Sequence, residues 1–96
     1  MRYIIISSNG SGKSTKVDEL VQNYETITCY SWVDIFELGD EFLTSPTTIL
    51  VLADFDFDNL LFFEEFILDQ SNCIITVQSA SQIPASLYGD ATIIQV

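Results

Sequence analysis

The sequence predicts an α/β protein: a three-layer sandwich with a five-stranded, mainly parallel sheet. Three observations predict it. Short apolar or β-branched runs of strand length alternate with segments of helical apolar periodicity. No linker, repeat or low-complexity stretch interrupts that alternation, and strands alternating with helices settle as a parallel sheet covered on both faces. The third is size. With 96 residues, 48% of them hydrophobic and 12% aromatic, the chain supplies one core and one domain over 1–96.

Each element follows from local pattern. Residues 2–6, Arg-Tyr-Ile-Ile-Ile, read as a buried strand, and residues 7–12 as a glycine- and serine-rich loop. Over 13–24, Val17, Leu20, Val21 and Tyr24 recur at i, i+3, i+4 and i+7, one face of a helix. Residues 26–30, Thr-Ile-Thr-Cys-Tyr, form a second strand. Ser31 is placed to cap a second helix running to about Leu43, with Asp34 three positions on, and Ser45-Pro46 stops it. Residues 48–53 are the most hydrophobic run and have strand length. Asp58 and Asn59 offer a cap for a third helix over 60–70. A fourth strand is expected over 73–77, a loop or short helix over 79–88 with Pro84 inside it, and a fifth strand over 91–96.

Charge narrows the function. The chain has 3 Lys+Arg against 14 Asp+Glu, no His, and a net charge of −11. Disordered acidic tails pair such charge with few apolar residues, and this chain does not. Direct nucleic-acid binding needs a basic stripe, and here the cations are only Arg2, Lys13 and Lys16. Binding to an anionic membrane surface fails for the same reason. The missing His removes the commonest general base and zinc ligand. Cys29 and Cys73 lie in apolar segments without C-x-x-C spacing and read as buried free thiols in a reducing compartment. The first apolar run is too short for a signal peptide and no segment approaches a membrane span, so the expected location is the cytoplasm.

The most specific feature is Asn9-Gly10-Ser11-Gly12-Lys13-Ser14-Thr15, set between a strand and a helix. Glycines let the backbone wrap a phosphate, and the helix start aims free N–H groups at it. Lys13 would neutralise the outer phosphates and the Ser14 hydroxyl would ligate Mg²⁺. The pattern G-x-x-x-x-G-K-[ST] is met except at its first position, where Ser7 stands for Gly. This segment resembles the Walker A loop of P-loop NTPases, in the wording typical of ABC and SMC-type ATPases. Residues 48–54, ending in Asp54, look like a Walker B strand, whose Asp holds magnesium through water. Residues 74–79 resemble the following strand, with Gln78 in the place of a polar sensor, as in hexameric DNA-pumping ATPases; residues 90–96 are similar to the closing strand. The resemblance implies a minimal P-loop NTPase-like core that binds ATP and Mg²⁺, with one strand between the Walker A and Walker B strands.

The sequence also departs from that class. Phe55 occupies the position of the catalytic Glu, and the next acid is Asp56, the candidate for orienting or deprotonating the attacking water. There is no signature motif, helical subdomain or obvious adenine pocket. Arg2 begins the first strand, at the far edge from the phosphate loop, so transition-state charge lacks a resident arginine. Slow Mg-dependent hydrolysis would then be completed by a partner or a neighbouring subunit.

In the third helix, Leu60, Phe63 and Ile67 form one stripe, Phe62 and Phe66 lie beside it, and Leu61 and Leu68 fall on another side. Either the helix is sunk between sheet and neighbours, or its apolar surface docks a protein partner or a second copy of the chain. Trp32, Phe36 and Phe42 of the second helix are expected in the core. Nucleotide binding is the favoured reading. The alternative is an acidic interaction or inhibitor protein of nucleic-acid-mimic type, built on a degenerate P-loop fold and resembling phage or mobile-element accessory proteins in size and charge.

Overall fold

A computed structural model of the chain describes residues 1–8, 12–38 and 46–96. The elements are β1 (Arg2–Ile6), α1 (Lys13–Leu20), β2 (Glu25–Cys29), α2 (Trp32–Phe36), β3 (Thr48–Ala53), α3 (Phe57–Phe62), α4 (Glu64–Leu68), β4 (Cys73–Val77) and β5 (Ala91–Gln95). Two 3-10 turns, Ala80–Gln82 and Ala85–Tyr88, fill the connection between β4 and β5. The strands form one sheet in the order β2-β3-β4-β1-β5, and every neighbouring pair is parallel. β4 therefore separates β1 from β3, the separation that the resemblance implies.

Strand periodicity divides the core. Ile4, Ile6, Leu50, Leu52, Cys73, Ile75 and Val77 point to one face, where Ile35 of α2, Leu60 of α3, Phe63 between α3 and α4, and Ile67 of α4 cover them. Ile5, Ile49, Val51 and Ile74 point to the other, covered by Val17 and Leu20 of α1 and by Val21 and Tyr24 just beyond it. Successive residues serve opposite faces, so a strand buried on both is apolar for nearly its whole length, with Thr48 and Thr76 the buried polar exceptions. That is why β1, β3 and β4 are legible as unbroken runs.

Because all five strands are parallel, their C-terminal ends share one edge of the sheet. Ile6 is in register with Val77 and Gln95, Ala53 with Thr76, and Cys29 with Leu52. Residues leaving the strands there converge: Ser7, Tyr30, Asp54, Gln78 and Val96. Open α/β sheets place ligands at this edge.

The helices differ most from expectation. α1 stops at Leu20, and Val21 and Tyr24 reach the core from turns that follow it. α2 is a single short helix ending at Phe36, and the chain leaves the helix at Glu37 and Leu38; the rest of the helix expected to Leu43, with Phe42, lies outside the described residues. Ser31 makes no side-chain cap bond; instead the Asp34 carboxylate accepts from the Tyr30 N–H at 2.8 Å. The third helix begins earlier than expected and is two helices. Its cap is Asp56, which is extended (φ −82°, ψ 171°) and accepts from the Asn59 N–H at 2.8 Å, so Asp58 and Asn59 lie inside α3. Phe63 leaves helical geometry at φ −96°, ψ 16° and divides α3 from α4.

Trp32 and Phe36 are not core residues. They are 50% and 63% exposed, because α2 turns only Ile35 fully onto the sheet.

Candidate functional site

The site is built where β1 and β3 end. After β1, Ser7 is buried and its N–H donates to the Val77 carbonyl at 3.0 Å, holding the start of the loop against β4. Asn9, Gly10 and Ser11 lie outside the described residues. Gly12 re-enters with φ +83°, a left-handed conformation natural to glycine. A Cβ there would stand 3.6 Å from Val96 Cβ, an ordinary contact, so backbone angle rather than space demands the glycine. Among the described residues no side chain caps α1, and no acid occupies its first turn. The start of α1 is the positive end of its dipole, and its opening N–H groups have no intrahelical acceptors.

Lys13, the first residue of α1, reaches across the sheet edge. Its amine donates to the Asp54 carboxylate. Asp54 follows β3 with φ +58°, the single non-glycine residue with positive φ among those described. Its N–H donates to both the carbonyl and the hydroxyl oxygen of Thr76 on β4, each at 3.1 Å. Asp is among the few side chains that tolerate this backbone region, and the β4 anchor holds it there. The lysine is nearly covered while the carboxylate is 60% exposed. The pair thus sits at a mouth open to a ligand.

Beside the pair lies a cavity of about 270 Å³, open on one side and lined in part by Ser14, Asp18, Thr28, Tyr30 and Thr76. Lys13, Ser14 and Asp54, the three residues expected to carry phosphate and metal, are brought together on its wall. Thr15 is exposed in α1 and does not line it. Asp56 serves as the α3 cap and also lies outside the lining. Gln78 is exposed, its N–H donates to the Gln82 side chain at 2.9 Å, and it does not reach the cavity wall. Arg2 sits at the opposite end of β1, where Nη1 donates to the Leu87 carbonyl at 3.2 Å. Among the described residues no cluster of three or more His, Cys, Asp or Glu side chains forms a metal site.

Sequence reasoning assigned no role to Thr28, Tyr30 or Thr76. Thr76 carried a signal: it is the one polar residue inside the buried run Ile74-Ile75-Thr76-Val77. Thr28 and Tyr30 are brought in by the pairing of β2 with β3, which no local pattern encodes.

No family model, curated protein or solved structure matches this chain. Among the described residues no helix is long and apolar enough to cross a membrane. Both cysteines are free and buried. Burial pushes the Cys29 thiol up to about 11, with nearby Asp34 adding to the effect, and burial likewise pushes Cys73 up to about 12. Neither is a nucleophile at neutral pH.

Proposed function

We propose that this chain binds ATP together with Mg²⁺ at the C-terminal edge of its sheet, as a minimal P-loop NTPase-like domain. The observation that carries the reading is the Lys13–Asp54 ion pair. It joins the first turn of α1 to the end of β3, across the intervening β4, beside a cavity that Ser14 also lines. The motif wording of residues 9–15 supports the same reading, as does the strand order.

Lys13 would take the outer phosphates, and the loop from Asn9 to Thr15 would wrap them with backbone N–H groups. Ser14 and Asp54 would hold the cation, and their oxygen donors are the kind that Mg²⁺ prefers. When bound, the cation neutralises phosphate charge and fixes the phosphate orientation. In the free protein Lys13 and Asp54 neutralise each other. A phosphate and a cation arriving together replace each partner with a like charge. Nucleotide arriving without cation takes the lysine and leaves Asp54 facing a polyanion, so metal and nucleotide should bind as a unit.

Hydrolysis, where it occurs, is slow and completed in trans. Asp56 is occupied as a helix cap, and the lone arginine is held at the far end of the sheet. A partner or neighbouring subunit would bring the missing transition-state cation.

The test is calorimetry of Mg-ATP against the wild type and Lys13→Ala. Micromolar binding that weakens at least about a hundredfold in the variant, or about 2.8 kcal/mol, is expected. Binding that survives in Lys13→Ala, or no binding by the folded wild type at millimolar nucleotide, overturns the reading.

A further inference from the structure

The face of the molecule opposite α1 carries a second, chemically different cavity. Trp32, Phe36, Asn59, Phe62 and Phe63 line an open groove of about 260 Å³ between α2 and α3. Its rings form a connected series of edge-to-face contacts. Trp32 meets Phe36 at 5.7 Å between centroids, Phe36 meets Phe63 at 5.5 Å, and Phe63 meets Phe62 at 4.9 Å. Phe63 is the buried floor, whereas Phe62 is 75% exposed. Leu61 and Val33, on the same two helices, are also exposed but do not line the groove. A buried aromatic floor with edge-packed aromatic walls suits apolar side chains.

The charge around it is one-sided. α2 carries Asp34 in its first turn and Glu37 just past its end, α3 has Asp56 as its cap and Asp58 in its first turn, and α4 opens with Glu64 and Glu65. None of these helices holds a Lys or Arg. All three cations of the chain are committed elsewhere: Arg2 to the Leu87 carbonyl, Lys13 to Asp54, and Lys16 to Glu19 on α1. A second copy of this chain would bring −11 to meet −11, which like-charge juxtaposition penalises. The complementary occupant is apolar on one side and basic on the other.

We propose that the α2–α3 groove docks an amphipathic helix of a partner protein, with bulky apolar anchors one turn apart and a Lys/Arg-rich flank. The anchors fill the space between Trp32, Phe36 and Phe62, and the flank meets the acids of α2, α3 and α4. Helices bind grooves in this way through residues spaced at i, i+3 or i+4, and i+7. Charge steers the encounter, while the aromatic contacts hold the complex. The site is separate from the Lys13–Asp54 cavity and does not depend on nucleotide.

Trp32 is the only tryptophan in the chain, so its emission reports occupancy directly. The probes are two synthetic amphipathic helical peptides of about four turns, free of tryptophan, with the same leucine stripe and either lysine/arginine or glutamate on the polar face. The basic peptide should shift Trp32 emission to the blue and saturate at micromolar concentration. Raising salt from about 50 mM to about 0.5 M should weaken it roughly tenfold. Phe62→Ala, at an exposed position and with unchanged circular dichroism, should also weaken it at least about tenfold. Lys13→Ala should bind the peptide as the wild type does. The proposal is overturned by an absent response to the basic peptide or by equal response to the acidic one. It is also overturned by salt- and Phe62-independent binding, by self-association on sedimentation that competes with the peptide, or by Trp32 emission already blue-shifted in the free chain.

Discussion

Asp54 combines a left-handed backbone, an ion pair with Lys13 and a double hydrogen bond to Thr76. Asn tolerates the same backbone region, so Asp54→Asn should preserve the fold and remove only the charge. The expected outcome is a melting temperature close to wild type, with loss of the advantage that Mg²⁺ gives to ATP binding; calorimetry with and without the cation measures it. The caps separate at the same scale. Asp56→Ala should cost about 1 kcal/mol in denaturant unfolding, the usual worth of an N-cap bond. Asp58→Ala should cost less, because Asp58 makes no cap bond. The thiols make a pH prediction. Their folded pKa values are raised from 9.0, Cys29 to about 11 and Cys73 to about 12, since burial favours the neutral form. That contribution is whole below pH 9 and is lost as pH rises toward 11 and 12, where the unfolded chain ionises first. Unfolding midpoints measured across this window should fall more steeply for the wild type than for Cys73→Ala.

The split third helix shows what sequence can and cannot reveal about an element. Leu60, Phe63 and Ile67 were legible as one stripe, and all three are buried. Leu60→Ala should therefore cost about 2–5 kcal/mol through the cavity it leaves, while Leu61→Ala at its exposed neighbour should stay within about 0.5 kcal/mol. Chemical denaturation of the two variants checks the contrast. The position of the cap was not legible, because Asp56, Asp58 and Asn59 are all good caps, and only the backbone angle at Asp56 chose among them. The bounds of β1, β3 and β4 are legible because burial on both faces makes these runs almost wholly apolar, with Thr48 and Thr76 the buried exceptions. The glycine loop was recognisable because its chemistry is local in sequence. The far wall of the Lys13–Asp54 cavity is not: Thr28 and Thr76 enter it through strand register, a property of the assembled sheet. Likewise Trp32 and Phe36 looked like core from composition, and the shortness of α2 put them outside it.

Across the whole molecule, the net charge of −11 sits on a body with a radius of gyration of 12.1 Å. Its self-repulsion opposes compaction and is relieved by screening. Thermal stability should accordingly rise with added sodium chloride. The sheet order carries a different consequence, for how the chain acquires its structure. β1 pairs only with β4 and β5, both from the last third of the chain, whereas β2 and β3 pair with each other early. A nascent chain that has emerged only as far as residue 72 holds an orphaned first strand and an isolated strand pair. The central strand then has to enter between them, so assembly waits on long loop closures and proceeds without a stable half-finished sheet.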